Sequence, residues 1–421
     1  MSQMISLDKP GLTEAATYRR ASLALFAAGL ATFATLYYVQ GLLPIFSSHF
    51  GVSPASSALA VSVTTALLAI AIVPASVASE RYGRVRVMCV SVLAATLLGL
   101  VLPWSPTFEV LLAGRALQGL LCAGVPAVAM AYLAEELSGN QLGNAMGLYV
   151  AGTTLGGLLG RIVPAVVVDL TTWQWALEAA AVVALGCAVV FTRTIPESKH
   201  FVPKAVSPIA TVRQMRGLLA DRVLVALVGL AFVLMGGFVT VYNFLGYRLL
   251  AAPFGWPSAL VGLVFLLYLA GTVSSALSGR LTERFGRPRV LWACLILMGA
   301  GLLIGLPDKV AAIIVGTMVF TAAFFGAHSV ASSWVGARVD KHRAQASSLY
   351  LLGYYLGSSI VGACGGWAYA GAGWAGIVGY VGALLIIAAM LAAVLTRSTG
   401  SHSMKSHSNF PDSWHGVSSG R

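Results

Sequence analysis

In this 421-residue chain the side chains able to do chemistry are few, and most lie inside long apolar runs. Arg115, Arg161 and Glu178 are the charged ones. A cation buried in hydrocarbon is costly unless it is paired or hydrated. Glu178 is the only carboxylate at a comparable position, so the three are expected to form one buried polar cluster. In that setting Glu178 is a proton-binding candidate, because neighbouring arginines set its proton affinity. A structural ion pair that fixes packing is the other reading, and both stand. His328 is the one histidine deep in an apolar run. Its imidazole suits a proton relay, or it is a neutral ring bonded to a backbone carbonyl. Gln40 and Asn243 are buried amides that demand partners, with Tyr37, Tyr38 and Tyr242 close in sequence. They are expected to contact a substrate, or else to bond between helices. Tyr354, Tyr355, Ser358 and Ser359 add hydroxyls near the end of the chain.

The elements that position these residues are set by composition. Apolar residues make up 58% of the chain and charged residues 10%, where a soluble domain carries about a quarter charged. Mean hydropathy is +0.85. A soluble enzyme, a disordered chain and a nucleic-acid module are all excluded on this ground. A bilayer span takes about 20 apolar residues in a helix. Twelve such segments are expected, at 21–46, 56–79, 86–103, 108–132, 142–167, 174–193, 223–246, 258–280, 289–306, 310–334, 345–367 and 373–396. The first is too long for a cleaved signal peptide. Gly152, Gly156, Gly157 and Gly160 have the spacing that lets membrane helices approach closely. The fold class is therefore all-α and membrane-spanning.

Basic residues orient the segments. With the N-terminus cytoplasmic, 22 of the 26 Lys and Arg residues fall on the cytoplasmic side, and only Arg248 and Lys309 on the outer side. This predicts both termini inside. A proline-bearing loop, 194–222, divides six segments from six. The organisation is then an N-terminal segment 1–20, a bundle 21–193, the loop 194–222, a second bundle 223–396 and a tail 397–421 expected to be disordered.

The halves repeat. Glu80-Arg81-Tyr82-Gly83-Arg84 recurs 203 residues later as Glu283-Arg284-Phe285-Gly286-Arg287. Leu148-Tyr149 and the stretch to Gly156 recur from Leu349-Tyr350 to Gly357, and Gln40 has Asn243 as its counterpart. Parallel repeats imply two similar bundles about an axis along the membrane normal, able to rock about a midplane site.

At these residues the chain resembles the major facilitator superfamily. The loop signature G-x-x-x-D-x-x-G-R-[RK] is matched by Glu80, Gly83 and Arg84, and again by Gly279, Glu283, Gly286 and Arg287. The motif R-x-x-Q-G-x-x-x-A is met at Arg115, Gln118, Gly119 and Ala123. The antiporter motif G-x-x-x-G-P-x-x-G-G is met in part, from Gly152 to Arg161, without its proline. Tyr37-Tyr38-Val39-Gln40, with Pro44, looks most like the bacterial YnfM-type, acriflavine-sensitivity branch of exporters. The resemblance implies twelve helices in two pseudo-symmetric bundles, a cavity at Gln40, Gln118 and Asn243, and gating loops. Glu80 and Glu283, at helix C-termini, each need a donor: Arg81 or Arg84, and Arg284 or Arg287, are local candidates, while the resemblance implies a latch across the bundles, Glu80 near Arg343 and Glu283 near Gln141.

The five cysteines form no C-x-x-C pair, and His402, His407 and His415 read as tail residues, so no metal or disulfide is expected. No P-loop and no H-E-x-x-H motif occurs. The expected function is proton-coupled export of small amphipathic or drug-like molecules across a bacterial inner membrane. The alternative is an importer or uniporter of a sugar or organic anion. No enzyme activity, cofactor, nucleic acid or obligate protein partner is expected.

Overall fold

The computed structural model describes residues 10–198, 201–203, 208–339 and 343–407, and every regular element among them is helical. α1 (Pro10–Tyr37), a 3-10 turn at Gln40–Leu42 and α2 (Leu43–Phe50) make the first pass. α3 (Pro54–Tyr82) and α4 (Arg84–Val101) follow. α5 (Phe108–Cys122) and α6 (Gly124–Glu136) form the fourth pass, then α7 (Gly139–Val168) and α8 (Trp173–Thr194). A short α9 (Pro208–Leu218) lies in the stretch expected to be a plain loop. The second bundle opens with α10 (Arg222–Leu250). Its next pass joins α11 (Ser258–Leu263) to α12 (Tyr268–Phe285), followed by α13 (Arg287–Ile304) and α14 (Val310–Arg338). α15 (Arg343–Leu356), a π turn at Gly357–Val361 and α16 (Gly362–His407) supply the last two passes. The backbone leaves helical geometry between those passes, at Ala372 (φ −146°) and Gly373 (φ 56°).

Twelve crossings thus match the twelve apolar segments. A 29-residue helix such as α3 is roughly 43 Å long, longer than the hydrocarbon it must cross. Two ends differ from the expected boundaries. α1 begins at Pro10 rather than near 21, and α16 runs on from 397 to His407, inside the tail expected to be disordered. The expectation for residues 408–421 lies outside the described residues.

The predicted glycine spacing does bring helices together. A methyl on Gly152, Gly156 or Gly160 of α7 would come within 2.3, 2.3 and 2.6 Å of the carbonyl oxygens of Phe26, Leu30 and Ala34 on α1. The second bundle repeats this contact. Gly353 and Gly357 would meet the carbonyl oxygens of Val228 and Phe232 on α10, at 2.8 and 2.0 Å. In each bundle the repeated pair, α7 on α1 and α15 on α10, therefore touches backbone to backbone. At the loop repeat, Gly83 (φ 98°) and Gly286 (φ 82°) take a conformation open mainly to glycine, which stops one helix and starts the next.

The cores differ in kind. The second bundle packs rings: Phe238 stacks on Phe324 at 3.9 Å between centroids, with Tyr242, Tyr268, Phe320 and Phe325 around it. The first buries three arginines, Arg84, Arg115 and Arg161.

Candidate functional site

α1 stops at Tyr37, so carbonyls in its last turn lack intrahelical donors. Arg115, fully buried on α5, supplies them. Its Nη1 donates to Thr35 O at 3.0 Å and its Nη2 to Leu36 O at 2.7 Å. Its Nε reaches Ala60 O on α3 at 3.0 Å, and Nη1 also donates to Gln118 Oε1. Gln118 donates in turn to Ala95 O on α4, and Tyr38 Oη donates to Gln118 Oε1. Arg115 and Gln118 together tie four helices of one bundle.

Arg161, on α7, points the other way, toward the second bundle. Its Nε donates to Gln40 Oε1 at 2.7 Å and its Nη1 to Gly157 O at 2.6 Å. Gln40 Nε2 then donates to Asn243 Oδ1 at 2.7 Å. The two symmetry-related amides meet each other across the bundle interface. The Arg161 guanidinium also lies 4.0 Å from the Tyr37 ring, 4.9 Å from Tyr268 and 5.2 Å from Phe265. Such contacts stabilise a desolvated cation by about 2 kcal/mol. A narrow cleft opens here, between Gln40, Gly41, Tyr242 and Phe265.

The expected cluster of Arg115, Arg161 and Glu178 does not form. Neutral carbonyl and amide oxygens occupy both guanidiniums, and Glu178 joins no ion pair among the described residues. Glu178 is partly buried on α8, and its Oε2 is a buried atom with no hydrogen-bond partner.

His328 on α14 meets the Tyr350 hydroxyl at its Nδ1, 3.0 Å away, and its ring lies 4.8 Å from that of Tyr354. Tyr355 packs edge-on to Tyr354. Tyr242 exchanges a hydrogen bond with Thr321 at 2.8 Å. The structure therefore brings Tyr37, Gln40, Tyr242 and Asn243 together at the interface, and it sets Tyr38 and Gln118 within the first bundle.

Two site residues escaped the sequence reading, Phe265 and Tyr268. The repeat register held a signal for the second: 203 residues before Tyr268 stands Thr65, which bonds Ser359 across the bundles at 2.7 Å. Arg248 was assigned to an outer loop but is buried. It caps the end of α13 by donating to the carbonyls of Gly305, Leu306 and Pro307 and to Asp308.

Further cross-bundle bonds lie on the side away from the arginine-rich loops. Ser47 and Tyr247 hydroxyls are 2.6 Å apart, and Tyr247 also donates to Leu43 O at 2.9 Å. Asp169 accepts from the Ser258 and Ala259 amides at 3.0 and 2.8 Å.

The loop repeat is wired differently in its two copies. Arg84 is buried, donating to Glu80 at 2.6 Å, to Glu135 at 2.7 Å and to Ser79 Oγ at 2.7 Å. Of the expected donors for Glu80, the local Arg84, one turn away, makes the bond rather than Arg343, and α6 adds a second carboxylate to it. Glu283 is exposed, joins no ion pair among the described residues and does not meet Gln141, and the buried Nε of Arg287 has no acceptor. Arg81 and Arg284 each lie over the adjacent ring, Tyr82 and Phe285. A separate groove of about 540 Å³ lies between α12, α13 and α14, with Phe285 in its wall, and none of Gln40, Arg161 and Asn243 lines it.

Twelve helical crossings among the described residues, in two repeated bundles joined by an amide pair, are the architecture of a membrane transporter. The chain belongs to the Major Facilitator Superfamily, whose family model matches residues 23–252 and 227–414. It is 40% identical to the MFS-type transporter YybF of Bacillus subtilis, over 90% of this chain and 94% of that one. It is 42% identical to the inner membrane transport protein YnfM of Escherichia coli, over 90% of this chain and 91% of that one. Among solved structures, a bacterial homologue of the human lysosomal transporter Spinster superposes with a TM-score of 0.71. That pair is 16% identical and covers 91% of this chain and 97% of the other.

Proposed function

We propose that this chain is a secondary active transporter of the bacterial inner membrane, working by alternating access to export small amphipathic or drug-like molecules in exchange for protons. The observation that carries the reading is the polar chain Arg161–Gln40–Asn243, which crosses from one bundle to the other inside the apolar core. A polar site at the seam between two repeats is where a rocking motion opens access first to one side and then to the other. The bonds of Ser47 with Tyr247 and of Asp169 with α11 support a conformation shut on the outer side. The bias of 22 basic residues toward one side supports both termini in the cytoplasm. Glu178 is the group we assign to proton exchange: it is a carboxylate within a span, and its buried Oε2 has no hydrogen-bond partner.

The test is dye accumulation in a strain expressing the chain. Expression lowers accumulation, an uncoupler restores it, and Glu178→Gln keeps the protein in the membrane while removing the uncoupler effect. Export that is indifferent to the uncoupler counts against proton exchange. Intact coupling in Glu178→Gln removes that residue from the mechanism.

A further inference from the structure

Arg161 is a buried cation whose donors are not used up. Its Nε and Nη1 are bonded to Gln40 and Gly157, while Nη2 bonds no described residue. No carboxylate among the described residues lies within ion-pair distance of it. Arg115, by contrast, has backbone carbonyls on all three of its nitrogens. Beyond the acceptors Gln40 Oε1 and Gly157 O, hydroxyl and amide donors also stand near this site. The hydroxyls of Tyr37 and Tyr268, whose rings flank the guanidinium, make no hydrogen bond with described residues. Asn243 is 1% exposed, and its Nδ2 has no acceptor. Unspent donors beside one uncompensated charge lack an acceptor that carries negative charge. The aromatic walls ask that the rest of the ligand be apolar.

We propose that the exported cargo is an amphipathic organic monoanion, its carboxylate docked on the Nε–Nη2 edge of Arg161 and its apolar body against Tyr37, Phe265 and Tyr268. This rests on the alternating-access reading above and names the substrate class for that site. A carboxylate matches the guanidinium fork in shape as well as charge. It competes with Gln40 Oε1 for Nε. Gln40 is also the donor in the bond to Asn243 that crosses the bundles. Binding the anion therefore loosens a tie between the two halves, which couples occupancy to rocking.

The experiment is thermal unfolding of the full chain in detergent with benzoate, octanoate and benzamide, the last sharing the ring of benzoate without its charge. Both carboxylates raise the midpoint saturably and benzamide does not. Arg161→Gln weakens the apparent Kd for benzoate by about tenfold or more, the size of one lost charged hydrogen bond. Arg161→Lys, which keeps the charge but not the fork, falls between. Equal responses to benzoate and benzamide, or an undiminished response in Arg161→Gln, overturn the proposal. If Arg161→Gln does not fold, the benzoate–benzamide contrast and Arg161→Lys decide it. Proteoliposomes separate the two readings. Carboxylate binding without proton-driven movement leaves the anion site and sinks the export reading. Proton-driven movement of a neutral dye with no carboxylate binding does the reverse.

Discussion

The two bundles share a plan but are held together by different chemistry. The first is tied by arginines: Arg115 links α5 to the frayed end of α1 and to α3, and Arg84 gathers Glu80 and Glu135 at the loop. The second is filled by rings, stacked about Phe238 and Phe324. The loop repeat shows how one motif comes to differ. Arg84 finds a carboxylate at the end of the fourth pass, Glu135. The equivalent place in the second bundle, 203 residues on, is Arg338, which pairs instead with Asp221 ahead of α10. Repeated sequence therefore preserves helix positions and contact faces, while a single changed partner rewires the charges.

This contrast is open to attack by substitution, read as shifts in thermal unfolding. The largest effect is expected from Arg115→Leu, which strips four hydrogen bonds from a charged group and costs roughly 3 to 5 kcal/mol. An unshifted midpoint would remove the arginine tie from the account. Phe238→Ala should cost about 3 kcal/mol through the cavity it leaves in the ring cluster. A loss below about 1 kcal/mol would mean the rings repack and carry little specificity. Arg84→Ala is expected to cost about 2 kcal/mol, whereas Arg287→Ala should stay within about 0.5 kcal/mol. Equal losses at the two sites would erase the difference between the loops.

A further small effect, about 0.5 to 1 kcal/mol, is expected from Asp221→Asn. Burial pushes the Asp221 carboxyl up, but hydrogen bonds from Arg338 and from the Val223 and Leu224 amides outweigh it, so the net shift is downward. A carboxyl whose pKa falls on folding stabilises the protein above the ordinary carboxylate value of 3.8. That contribution is lost as the pH drops through the lowered folded value. The variant should therefore differ from the parent at neutral pH and converge with it in acid. A gap that widens on acidification would reverse the assigned sign.

How much of this the sequence carried follows from what each signal depends on. The twelve crossings were legible because hydrocarbon demands long apolar runs whatever the neighbours are. The Gly152–Gly160 stripe was legible because close approach needs the absence of a side chain at fixed spacing. The equivalence of Gln40 and Asn243 was legible through the repeat offset, but not that the two amides bond each other. The Arg115–Arg161–Glu178 cluster was not, because sequence depth says nothing about direction around a helix. Arg115 turns toward α1, where the helix end leaves carbonyls free, and Arg161 turns to the seam. The burial of Arg248 was hidden for the same reason: the carbonyls that hold it come from the end of α13, some 57 residues away. Ring contacts such as Tyr268 over Arg161 join residues from both halves, and no local pattern marks them.

Where α7 lies on α1 there is no layer of side chains to act as a lubricant. Oxygen atoms of one backbone sit where the other would carry methyl groups, and a joint of that kind resists sliding. Flexing is left to the places where regular helix is interrupted, such as the 3-10 turn that bears Gln40. In the proposed rocking the lever arms are thus stiff, and the fulcrum falls on the stretch proposed to meet the cargo.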